Sequence, residues 1–267
     1  MSSHSARRTR ARRRVPSLLF ALVTGAWTVH ARDLGAQGAP AERATSEATP
    51  VEQQERERGF LFFPSRRSLH AFRFGLGAFY DAIDPQVMYG YVVRLPQVTA
   101  DARYGLGRSW SLAAHLNTML VTSEALLGVS RAWRAGRVSV EASASAGVYV
   151  GALGQLSFDA LVYAPEARPE LAVGHDFGAL AATLRGSLIL MGPEHVEVGG
   201  VTGGLDGSRL FVGHSEMLYV ESTTRGSGVW YFGVGALTTR AYYAFWILFP
   251  DSPALFTYPR IAAGYAF

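Results

Sequence analysis

The sequence predicts an all-β protein, a closed antiparallel transmembrane β-barrel of about 10–12 strands, on three observations. From about Ser68 onward, apolar and polar residues alternate with period two in segments of roughly ten to thirteen residues. The body of the chain has no uncharged apolar run of about 18 residues, so a membrane crossing must be made by strands. The chain also stops on aromatics, Tyr265 and Phe267, where a terminus is ordinarily polar and frayed.

Residues 1–31 read as a secretory signal, with cleavage as late as 38. Six arginines lie within the first fourteen residues, and the apolar stretch Val15–Val29 and small residues follow them. The net charge of the chain is +4, so subtracting these six leaves about −2 for the rest. The basic excess belongs to the leader, and no nucleic-acid partner is expected; an arginine-rich nucleic-acid arm would leave the apolar run unexplained. The pair Arg7 and Arg8 is not followed by the apolar residue that a twin-arginine signal needs.

With no cysteine, disulfides, thiolate metal sites and an N-terminal lipidated cysteine are excluded. Residues 39–67 read as a low-complexity periplasmic segment. Its stretch from Pro40 to Arg58 is rich in Glu, Arg, Ala, Ser and Thr, too polar to offset its chain entropy, and reads as a disordered tether. A short surface helix over Val51–Arg58 is the alternative.

Residues 68–267 read as the barrel. The clearest strand is Arg137–Val150, RVSVEASASAGVYV, which puts Val138, Val140, Ala142, Ala144, Ala146, Val148 and Val150 on one face. Glu141 and the serines fall on the other, a separation that a helix would destroy. Segments His70–Tyr80, Gln97–Leu106, Trp110–Leu120 and Phe177–Leu190 alternate alike, and LGRS at Leu106–Ser109 is a tight turn. These strands exceed the five or six residues usual in soluble sheets and suit tilted spanning strands of about nine to eleven.

Cost decides which face meets lipid. An arginine facing lipid at mid-depth costs about 2–4 kcal/mol. The polar rows should therefore point inward, giving lumen candidates Asp101, Arg103, His115, Asn117, Glu141 and Arg185. Aromatics near strand ends (Tyr80, Tyr104, Trp110, Phe211, Tyr219, Trp230, Tyr243) suit headgroup girdles. If the aromatic face of the strand Arg209–Glu221 meets lipid, His214 and Glu216 also enter the lumen, and His195 and Glu197, a further same-face pair, are lumen candidates with them.

The last strand carries Arg260, with Tyr265 and Phe267 five and seven positions on. In this it resembles the Gram-negative outer-membrane β-barrels, whose final strand carries a polar residue, a glycine two on, and closing aromatics. Ala262 stands here where the glycine is usual. The resemblance implies outer-membrane lipid and the barrel-assembly machinery as partners, with Arg260, Tyr265 and Phe267 as the assembly signal.

Little in the sequence carries chemistry. Outer-membrane lipid hydrolases place serine and histidine on one strand face two apart, whereas Ser215 is next to His214 and faces away. His195, Glu197, His214 and Glu216 would give a metal only two ligands per strand, with no fixed register between strands, so neither a metal site nor a cofactor is expected. The glycine-rich stretch Gly199–Gly207 lacks the Lys-Ser/Thr and helix of a phosphate loop and reads as a hairpin loop. The expected function is a non-catalytic outer-membrane barrel with a structural, adhesive or narrow solute-passage role. The alternatives are an outer-membrane lipid-modifying hydrolase and a soluble periplasmic ligand-binding barrel. The sequence specifies no oligomeric state.

Overall fold

The computed structural model describes residues 60–67, 69–82, 96–119, 122–155, 158–199, 201–205, 210–223, 228–240 and 255–267. The residues expected to form a leader, most of the expected low-complexity segment and the apolar run Tyr242–Phe249, with the girdle candidate Tyr243, lie outside the described residues.

Among the described residues are twelve strands: β1 Phe72–Asp81, β2 Gln97–Gly107, β3 Trp110–Thr118, β4 Thr122–Ala135, β5 Val138–Gln155, β6 Phe158–Asp176, β7 Leu180–Met191, β8 Glu194–Val198, β9 Val201–Leu205, β10 Phe211–Thr223, β11 Val229–Arg240 and β12 Leu255–Ala266. Ten of them form a closed antiparallel ring. The strands from β1 to β7 pair in succession, β7 pairs with β10, β10 with β11, β11 with β12, and β12 returns to β1. The hairpin β8–β9 stands outside the ring on the upper part of β6. It turns at Gly199, in the left-handed region, and Val201–Leu205 form β9 within Gly199–Gly207, a stretch expected to be loop throughout.

Short turns join the strands at the end where β1 begins and β12 finishes, called here the turn end; the opposite one is the loop end. The LGRS turn links β2 to β3 through Arg108 and Ser109, both with positive φ (50° and 73°), the handedness that matches strand twist.

Side chains separate by face as cost requires. Leu127 is 72% exposed on the outer face, whereas Glu141 is 2% exposed inside. This is the inverse of a water-soluble barrel. Around the turn end the outer wall carries Phe72, Trp110, Trp133, Phe177, Trp230 and Phe267, all exposed. Arg131, also outward, lies over the rings of Trp110 and Trp133 at 5.4 and 5.3 Å, so its charge is spread over aromatic faces at the rim.

Three expectations about β10 and its neighbours are corrected. A bulge between Phe211 and Gly213 breaks the two-residue period, so Phe211 points out while Ser215, Met217, Tyr219 and Glu221 point in. His214 and Glu216 therefore share the outer face with exposed Leu218 and Val220 and do not enter the lumen. Tyr219, expected in a headgroup girdle, is 4% exposed inside because an aromatic partner waits for it there. His195 and Glu197 are exposed on β8, outside the ring, and His195 stacks on Tyr163.

The barrel unit also starts earlier than residue 68. Phe60–Pro64 and Arg67, expected in the periplasmic segment, are buried within the ring. Two prolines hid β6 from alternation alone, because a proline argues against a central strand. Pro165 and Pro169 both face outward, and the β6–β7 ladder skips the pairs at Arg168 and Pro169. On β12, the Pro259 carbonyl accepts from Ala82 N–H (2.8 Å) just past the end of the β1 ladder. Its missing donor therefore costs no ladder bond.

Candidate functional site

The inner wall is built in three tiers. Nearest the turn end is an apolar cluster in which Phe60–Phe63 pack against Phe79, Ala181, Met217, Tyr219, Val229, Tyr231, Ala262 and Ala266. Toward the loop end Tyr149, Ala164, Ile189, Met191, Val212, Leu237 and Tyr258 form a second. Between them lies a band of charge around a cavity of about 140 Å³, whose lining includes Phe62, Asp101, Arg103, His115, Glu124 and Arg185.

One half of the band centres on Glu141. Both its oxygens accept from Arg103 Nη1 at 2.8 Å, and Oε1 also accepts from Arg185 Nη2 at 2.9 Å. Arg185 Nη1 pairs in turn with Glu170. The four residues come from β2, β5, β6 and β7, so this network ties four staves across the lumen. Each buried charge has its counter-charge, the condition under which burial is tolerated.

The other half runs through His115. Its Nδ1 lies 2.8 Å from Asp101 Oδ1 and its Nε2 3.5 Å from Glu124 Oε1. Arg168 donates to Glu124 (2.7 Å) and to Glu166 (2.6 Å). Near the loop end Arg260 binds Asp81 through two contacts of 2.5 and 2.7 Å, Gln97 donates to Asp81, and Asn117 donates to Gln97. Bidentate arginine–carboxylate geometry fixes orientation as well as energy.

The structure thus brings Asp101, Arg103, His115, Asn117, Glu141 and Arg185 to one lumen. His195, Glu197, His214 and Glu216 are placed outside it. In the last strand Arg260 faces in toward Asp81, while Tyr265 packs outside against Trp230 and Phe267. Sequence reading missed Glu124, Glu166, Arg168 and Glu170. Their signal was present, since Glu166, Arg168 and Glu170 recur at period two opposite Pro165, Ala167, Pro169 and Leu171.

Both ring nitrogens of His115 face carboxylates, and the hydroxyl of Ser215 lies on the other side of the wall from His214. Among the described residues no group of three or more His, Asp or Glu is placed to hold a metal ion.

The larger omission is Glu221. It is fully buried and accepts three consecutive backbone N–H groups: Leu61 (2.6 Å) and Phe62 (3.0 Å) on Oε1, and Phe63 (2.7 Å) on Oε2. Phe62 stacks on Tyr219 with centroids 4.1 Å apart and meets Tyr231 edge-on at 4.9 Å. Arg185 lies over the same ring and donates to the Phe62 carbonyl at 3.3 Å. The inner wall at the turn end is therefore a receptor for this segment.

No family model matches the chain, and no curated protein matches it. Among solved structures it is similar to an active-site mutant of outer membrane phospholipase A from Escherichia coli, with 9% identity and a TM-score of 0.32. That match covers 78% of this chain and 92% of the other. It is also similar to the outer membrane protein Omp33 of Acinetobacter baumannii, with 11% identity and a TM-score of 0.28 over 74% of this chain and 97% of the other. Likenesses this weak assign no residue role here; the closed barrel rests on its own strand pairings.

Proposed function

We propose that the protein is an integral barrel of the bacterial outer membrane with a non-catalytic role, the narrow passage of small polar solutes. The observation that carries this is the distribution of side chains: leucine, valine and aromatic residues cover the outer wall, and ion pairs fill the inner one. Turned outward, such a wall is stable only against lipid. A ten-stranded ring is too narrow for the wide aqueous channel of larger porins. Arg103, Arg185, Asp101 and His115 of the band give the cavity a polar lining, and the balanced charges suit small polar solutes better than one ionic sign.

On this reading outer-membrane lipid contacts the exposed belt, and the barrel-assembly machinery reads the last strand through Tyr265 and Phe267. The test is to refold the full chain in detergent, transfer it to phosphatidylcholine vesicles and check insertion by protease protection and heat-modifiable gel migration. Conductance is then recorded across a planar bilayer. Insertion with small discrete steps is expected; a chain that stays in the aqueous phase would sink the membrane reading.

A further inference from the structure

The hydrogen bonds that seat Leu61–Phe63 on the wall are made by wall side chains: Glu221 takes the N–H groups of Leu61, Phe62 and Phe63, and Arg185 donates to the Phe62 carbonyl. Among the described residues the segment joins no strand ladder, so its departure would break no bond that closes the ring. Two wall positions are cleared for it. A Cβ on Gly75 would come within 2.4 Å of the Leu61 side chain, and one on Gly174 within 2.7 Å of Phe63 and Pro64. The segment is folded on itself by Arg67, whose Nη2 donates to the carbonyls of Phe60 (2.9 Å) and Leu61 (3.1 Å). Successive N–H groups curled around one carboxylate form a compact anion-binding turn, here closed on Glu221.

Phe62 also lines the cavity of the charged band, so the segment is the floor of that cavity. We infer that Phe60–Arg67 is a reversible stopper, that Glu221 is its latch, and that release joins the cavity to the turn end. This inference rests on the membrane-barrel reading and adds to it the regulation of the same lumen. The latch holds backbone groups, so its grip depends on Glu221 more than on the identity of the gripped side chains. The stacking of Phe62 between Tyr219 and Tyr231 sets which residue seats deepest.

Two measurements on the full, membrane-inserted chain test it. In hydrogen exchange of the wild type, the amides of Leu61–Phe63 should exchange at least about 100-fold faster than those of β10, because the segment opens while the ring stays shut. In planar bilayers, Glu221→Gln replaces the acceptor of the Phe63 N–H with a donor and removes the charge. It should raise the open time at least about tenfold over wild type. Glu216→Gln, on the outer face of the same strand, should match wild type. Segment amides as slow as those of β10, or Glu221→Gln indistinguishable from wild type in a protein shown to be inserted, would overturn the stopper. Failure of the wild type to insert would overturn the membrane reading instead.

Discussion

Removing the carboxylate of Glu141 should weaken the barrel more than any other single change in the charged band. Glu141 is 2% exposed and holds two guanidinium groups, Arg103 through both oxygens and Arg185 through one. Deleting one partner of a buried pair costs about 3–5 kcal/mol, because the other charge is left without compensation. The low end, about 3 kcal/mol, applies here, since Arg185 keeps Glu170 and the adjoining cavity can admit water. With a urea dependence of about 2 kcal/mol per molar, Glu141→Ala should lower the unfolding midpoint by about 1.5 M. The assay is urea unfolding in phosphatidylcholine vesicles followed by tryptophan fluorescence. The double variant R103M/E141M should recover at least half of that loss, because it deletes both charges of the closest pair. A Glu141→Ala midpoint within about 0.5 M of wild type, or a double variant worse than the single one, would refute the view that paired burial holds the staves together.

Three further outcomes follow from the placement of residues. H214L/E216L should raise stability in vesicles by about 1 kcal/mol, since both residues lie on the outer face that the proposed membrane setting turns to lipid; a loss of stability would count against that setting. Gly235→Ala should fail to refold, as its Cβ would lie 1.9 Å from the Glu216 carbonyl oxygen, whereas Gly186→Ala, with no atom within 4 Å, should shift stability by less than about 0.5 kcal/mol in the same unfolding assay. Phe267→Ala should lower the amount of barrel in outer-membrane fractions of expressing cells yet refold normally in detergent, because the Phe267 N–H bond to Phe74 (2.7 Å) is backbone and only the exposed ring is lost.

The wall was legible because period two is a local property: RVSVEASASAGVYV names its own two faces without reference to any other strand. Where locality failed, so did the reading. On β10 a single extra residue beside Val212 inverted the faces beyond it, and nothing in VGHSE marks a bulge. Tyr219 looked like a girdle residue because aromatics favour interfaces, but its stacking partner sits 157 positions earlier in the chain, as Phe62. Prolines masked β6, although they point outward where no side chain must reach across. Phe60–Phe63 is an apolar run of only four residues at the end of a polar stretch, whose composition set the reading of residues 39–67 as a whole. Its burial is decided by Glu221, 160 residues away from Leu61, a contact that no window along the sequence contains.

The seam between β1 and β12 has a consequence in time. It joins residues as far apart as Asp81 and Arg260, 179 positions, and it lies immediately after the segment held by Glu221. Closing so long a loop costs entropy before any contact repays it, so the seam should be among the slowest steps of folding. Residues Phe60–Arg67 are tethered within a few residues of the strand that makes this seam, so they stay near the lumen once the ring has closed. Because the segment joins no ladder among the described residues, closure of the ring does not wait for it, and its seating on Glu221 is a separate step that follows the seam. A chain that zips with the segment still outside is then the open form of the same lumen.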